Sequence, residues 1–93
     1  MDSGELETSP SILTPRSEVY AAIDGERTYQ DAKWPGAKQS VAAWITFLSE
    51  YVREAQFRVT REEGDQGGLD SVRKIAALAV CCMEENGVVK RGA

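Results

Sequence analysis

From Val41 to Val59, apolar residues return at three- and four-residue steps: Val41, Trp44 or Ile45, Leu48, Val52, Ala55 and Val59. That is the 3.6-residue period of one helix face, and it excludes a strand, whose side chains alternate with a period of two. Ser40 stands ready as N-cap, and the pattern predicts a helix from there to about Arg61. Phe47, Tyr51 and Phe57/Arg58 widen the stripe onto a second side, which is broad for a helix with one packing partner. Glu50 and Glu54 stand one turn apart on the opposite face, with Arg53 between them.

Two further helices are legible. Thr14-Pro15 announces the first, with Thr as N-cap, Pro at N1 and Glu18 facing the positive end of the dipole. Its early apolar positions are Val19, Ala22 and Ile23, and Gly25 within it suggests close packing or a bend. It must stop before Trp34-Pro35, because a residue preceding Pro avoids the α region. Glu62 to Gly68, with three Gly and three acids, reads as a loop. The third helix is expected from about Leu69 to Asn86-Gly87, apolar nearly all round from Ile75 and therefore central. Its Ala76-Ala77-Leu78-Ala79 run permits close helix approach.

The predicted fold is all-α: a three-helix unit in which the second and third helices form an antiparallel hairpin and the first packs across them. Residues 1–13 read as a flexible acidic tail, 14–87 as one helical domain and 88–93 as a short C-terminal tail. About 75 residues then carry the whole core, little for a single small scaffold. The breadth of apolar surface on the last two helices therefore predicts a homo-oligomer. Trp44, Leu48, Ile75, Leu78 and Ala79 are its expected core or interface anchors.

Net charge is −4 with no basic stripe, which argues against duplex nucleic acid and a charged membrane surface as partners. No apolar run approaches 18 residues and no signal-peptide pattern opens the chain, so the cytoplasm is the expected location. Cys81 and Cys82 are adjacent and diverge on a helix, and no histidine is present. A disulfide between them and a thiolate zinc site are both disfavoured, leaving two small buried residues.

The stretch Glu26-Arg27-Thr28-Tyr29-Gln30-Asp31-Ala32-Lys33-Trp34 breaks the apolar period with cations, acids and two aromatic rings. Arg27, Tyr29, Lys33 and Trp34, with Arg73 and Lys74 at the start of the third helix, are the candidate ligand-binding residues. They offer donors, charge and stacking surfaces for an anionic planar ligand, or hot spots for a protein. The plainer alternative pairs Arg27 with Asp31 and folds Trp34 over the bundle end as a plug. A catalytic set is not legible: no base accompanies a nucleophile, and no phosphate loop precedes a Lys-Ser/Thr pair. The acids Glu50, Glu54 and Glu84 are similar in kind to the magnesium-binding carboxylates of small all-α MazG-type proteins, and that resemblance implies the alternative, a magnesium-dependent nucleotide pyrophosphohydrolase. Otherwise no cofactor is expected.

The Glu26–Trp34 stretch, then Gln39-Ser40-Val41-Ala42-Ala43-Trp44 and Arg73-Lys74-Ile75 through Glu84-Glu85-Asn86-Gly87, resembles small proteins encoded by phages and prophages, some loosely called MazG-like. The resemblance covers roughly residues 18–89. Such sequences often have His where Gln39 stands and an acid where Ala43 stands, so this chain lacks two polar groups of that pattern. In size and helical plan it is also similar to phage anti-defence sponges, oligomers that sequester cyclic-nucleotide signals. With the Glu26–Trp34 strip, Arg73 and Lys74 on a chain without a catalytic set, the expectation is a non-enzymatic, oligomeric module in a bacterial host cell that captures a nucleotide-like ligand, or a host protein as inhibitor or adaptor.

Overall fold

A computed structural model describes residues 13–36 and 38–92. Among them are three α-helices and no strand: α1, Arg16–Lys33; α2, Val41–Arg61; and α3, Gln66–Asn86. The expected acidic tail lies outside the described residues except for Leu13, which is exposed.

The helix ends follow local chemistry, with two corrections to the sequence reading. Pro15, not Thr14, holds the N-cap position of α1, and no side chain caps it. The Pro15 carbonyl accepts instead from the Glu18 and Val19 N–H groups at 3.0 and 3.2 Å, so the helix begins one residue later. At the other end Trp34 N–H donates to the Gln30 carbonyl, and Pro35 prevents another turn. Ser40 caps α2 as expected, its Oγ accepting from Ala43 N–H at 3.1 Å.

The second correction concerns the glycines after α2. The turn is only Glu62 to Asp65, and α3 starts at Gln66, taking Gly67 and Gly68 into its first turn. A Cβ on Gly67 would overlap the Glu62 carboxylate, and one on Gly68 would lie 2.8 Å from Val59 Cγ1. These glycines let the start of α3 close against the end of α2. Gly25 has the opposite character. A Cβ there would meet nothing within 4 Å, so the close packing expected at that position is not found.

α3 is the spine: α1 and α2 both pack on it and barely on each other. Glu26 and Arg27, neighbours on α1, reach Arg73 and Glu84, residues about three turns apart on α3. α1 therefore lies steeply across the spine, and fully buried Ala77 with Leu78 marks the middle of the crossing. On α2 the side from which Trp44 reaches Glu85 and Arg58 reaches Asp70 also carries half-buried Leu48, Tyr51 and Ala55.

The apolar core is small. Trp44, Ala77 and Leu78 are its buried members, while the expected anchors Leu48, Ile75 and Ala79 are only half-buried. Cys81 and Cys82 are half-buried free thiols. α3 is not enclosed all round either, since Leu69, Val72 and Met83 are exposed.

Candidate binding clefts

Because α1 and α2 stand apart on one spine, the space between them is left as two adjoining clefts. Gln30, Trp34 and Tyr51 line both. The first has a volume of about 680 Å³ and contains Tyr29, Lys33, Trp34, Arg73 and Lys74. Five of the six residues singled out from the sequence thus share one wall system, with Glu26, Glu54 and Asp70 as its acids.

The cations in this cleft differ in how far they are committed. Arg73 Nε donates to Glu26 Oε1 at 3.0 Å, and its Nη2 donates to Asp70. Lys74 Nζ lies 3.3 Å from Asp70 Oδ2. Asp70 also accepts from Arg58 Nη1 at 2.9 Å, so three cations converge on one carboxylate. Hydrogen bonds from Arg58 and Arg73, then Lys74, hold that carboxyl well below the usual carboxylate range. Lys33 has no carboxylate partner among the described residues. Its Nζ donates to Tyr29 Oη at 3.2 Å and sits 5.2 Å from the Trp34 ring centre and 5.5 Å from that of Tyr29. An ammonium held over two ring faces remains available to an incoming anion.

Arg27, the sixth residue, faces the other cleft. That cleft, about 790 Å³, is lined by Trp34, Trp44, Phe47 and Tyr51 over Leu78 and Cys81. The guanidinium is buried, and each of its three nitrogens donates. Nε and Nη2 donate to Glu84 Oε1 at 3.0 and 2.7 Å, Nη2 to Asp31 Oδ1 at 2.7 Å, and Nη1 to Gln30 Oε1 at 3.2 Å. Burial works against the charge, but Glu84 and Asp31 outweigh it and hold the pKa above its ordinary value. The expected Arg27–Asp31 pair is thus present. The expected plug is not: Trp34 is half-exposed between the clefts.

Sequence reasoning missed how the residues at the end of α3 organise this second cleft. Glu85 Oε1 accepts from the Trp44 indole N–H at 2.8 Å and from Gln39 N–H at 2.9 Å. Those two donors, the Gln39 backbone first, lower its pKa. Asn86 Nδ2 donates to the Gln39 carbonyl at 3.0 Å, tying the α1–α2 connection to the spine. Cys81 Sγ–H points at Glu85 Oε2, 3.6 Å away, and burial raises the thiol pKa, leaving it a poor nucleophile. The available signal was Trp44 itself: a buried indole N–H needs an acceptor, and a carboxylate pair at a facing helix end can supply one.

The acids proposed for magnesium do not converge. Glu84 is occupied by Arg27, Glu50 and Glu54 are exposed on α2, and no group of three metal-ligating side chains forms among the described residues. No helix of the described residues is long and apolar enough to cross a membrane.

Comparison with known proteins adds no assignment: no family model, curated protein or solved structure matches this chain.

Proposed function

We propose that this chain is a non-enzymatic binding module that captures a nucleotide-like ligand, in the manner of a phage anti-defence sponge, and works as an assembly of identical copies. The observation that carries this reading is the shared cleft of Tyr29, Lys33, Trp34, Arg73 and Lys74. A base would stack on Trp34 or Tyr29, both half-exposed, with stacking worth about 1–3 kcal/mol per base. A phosphate would be met by Lys33 first and then by Lys74, whose one carboxylate partner among the described residues, Asp70, is shared with two other cations. Arg27 is not assigned to phosphate, because an anion there would have to displace Glu84 and Asp31.

The assembly rests on α2 and α3 acting as an antiparallel hairpin. Supporting that reading, Arg58 meets Asp70 beside the turn, while Trp44 near the start of α2 meets Glu85 near the end of α3. A second reading, capture of a protein, is favoured by the aromatic wall of Trp34, Trp44, Phe47 and Tyr51, which is hot-spot chemistry.

A thermal-shift screen against mononucleotides and cyclic di- and trinucleotides tests the proposal. A nucleotide that raises the melting temperature of the parent, but not of Lys33→Ala or Trp34→Ala, supports capture in the first cleft. No shift from any nucleotide at millimolar concentration rejects it in favour of the protein reading.

A further inference from the structure

α2 carries more apolar surface than α3 covers. Val41, Ile45, Leu48, Val52, Ala55 and Val59 follow one another at steps of four, three, four, three and four. That is an uninterrupted heptad seam, with the β-branched residues Ile45, Val52 and Val59 in one register and Val41, Leu48 and Ala55 in the other. Leu48 and Ala55 belong also to the side facing α3, but Val41, Ile45, Val52 and Val59 are 49%, 60%, 44% and 54% exposed. One edge of the seam thus turns away from α3 at Val41, Ile45 and Val52, while Leu48 and Ala55 border α3.

The neighbouring helix repeats the pattern. On α3, Leu69, Val72, Ala76, Ala79 and Met83 are spaced three, four, three and four, and Leu69, Val72 and Met83 are exposed. Val59, in the α2 seam, touches α3 at Gly68, next to Leu69, so the two stripes approach at the elbow. No residue of either stripe lines either cleft.

We infer that this back face of α2 and α3 is the self-association surface, and that a second copy covers it to make a four-helix bundle from two α2–α3 pairs. The inference rests on the assembly part of the proposed function and names its surface. Three observations select a second copy as the occupant. The face has the register of a helix–helix seam, and β-branched residues alternating with Val, Leu and Ala favour few strands. The residues flanking the α2 seam on the side away from α3 are Ala42, Ser49 and Gln56, so an identical neighbour meets no like charge. Glu50, Arg53 and Glu54 lie around the far side of the helix, clear of the contact. Finally, the first twelve residues contain only Met1, Leu6 and Ile12 as large apolar side chains, too few to fill two stripes. Burying the stripes also supplies the core that Trp44, Ala77 and Leu78 alone do not.

Sedimentation equilibrium without ligand tests this, with circular dichroism monitoring the fold. The parent should have about twice the 10.2 kDa chain mass, and Val52→Lys should reduce it to one chain. Glu50→Lys, on the opposite face, should leave it doubled. Should Val52→Lys lose its helices, Val52→Ala provides the reading: the concentration for half-association should rise at least tenfold with helicity retained. A parent that stays monomeric at 100 µM overturns the inference, as does a Val52→Ala protein that associates like the parent. Since Lys33→Ala and Trp34→Ala should keep the doubled mass, loss of ligand capture and loss of self-association are read separately.

Discussion

The two contacts that α3 makes are built from different chemistry. Toward α2 it offers Leu78, the glycine-lined elbow and Glu85, and receives a buried indole whose N–H finds a carboxylate. Toward α1 it offers Glu84 and Arg73, and receives Arg27, Glu26 and Gln30. One side is packing with a polar anchor and a single ion pair, Arg58–Asp70, beside the turn, the other chiefly a set of charged bonds over Ala77. Packing is close to independent of salt and strong per side chain, whereas ion pairs with one exposed partner contribute little net stability. α1 is therefore the less firmly held of the two helices on the spine, and it carries one wall of both clefts.

The largest expected effect lies on the packed side. Trp44→Ala should cost about 3–5 kcal/mol, as for a buried aromatic truncated in a core, and should also strip Glu85 of one donor. Urea unfolding measures it. A loss below about 1 kcal/mol would mean that α2 is not held by this anchor.

Arg27→Ala should cost less, about 1–3 kcal/mol, chiefly because the buried Gln30 Oε1 then loses its Arg27 Nη1 donor. The Glu84 side chain is 55% exposed and can turn to water, so the lost ion pair adds little. If Arg27→Ala were as damaging as Trp44→Ala, the distinction between the two contacts would collapse.

The smallest effects separate the glycines. Gly25→Ala adds a methyl group in open space inside α1 and should stabilise by about 0.5–1 kcal/mol. The same change at Gly68 should give no such gain, because the χ1-restricted Val59 stands 2.8 Å from the new Cβ. Thermal unfolding of the two variants side by side compares them.

Much of the scaffold could be read from periodicity and caps. The three helices, the Ser40 cap and the stop before Pro35 are all local signals, and the structure has them. Glycine misled, because Gly67 and Gly68 look like loop residues until the neighbouring helix is present to need their missing side chains. The polar stretch of α1 misled in another way. Glu26, Arg27 and Gln30 look like an open binding face, yet they are the residues α1 turns toward the spine. Tyr29, Lys33 and Trp34, on the rim of that face, were legible as candidates because the helical apolar period stops at Ile23 and leaves rings and a cation beyond it. The pairing of Arg27 with Glu84 spans 57 positions, and no local pattern encodes it.

Hydrogen exchange of backbone amides, read helix by helix, tests the central contrast most directly. α2 and α3 should exchange slowly and together, with α1 exchanging faster than both, and raising the salt from 0.05 to 1 M should speed α1 alone. An α1 as protected as α2 and α3, and indifferent to salt, would contradict the account.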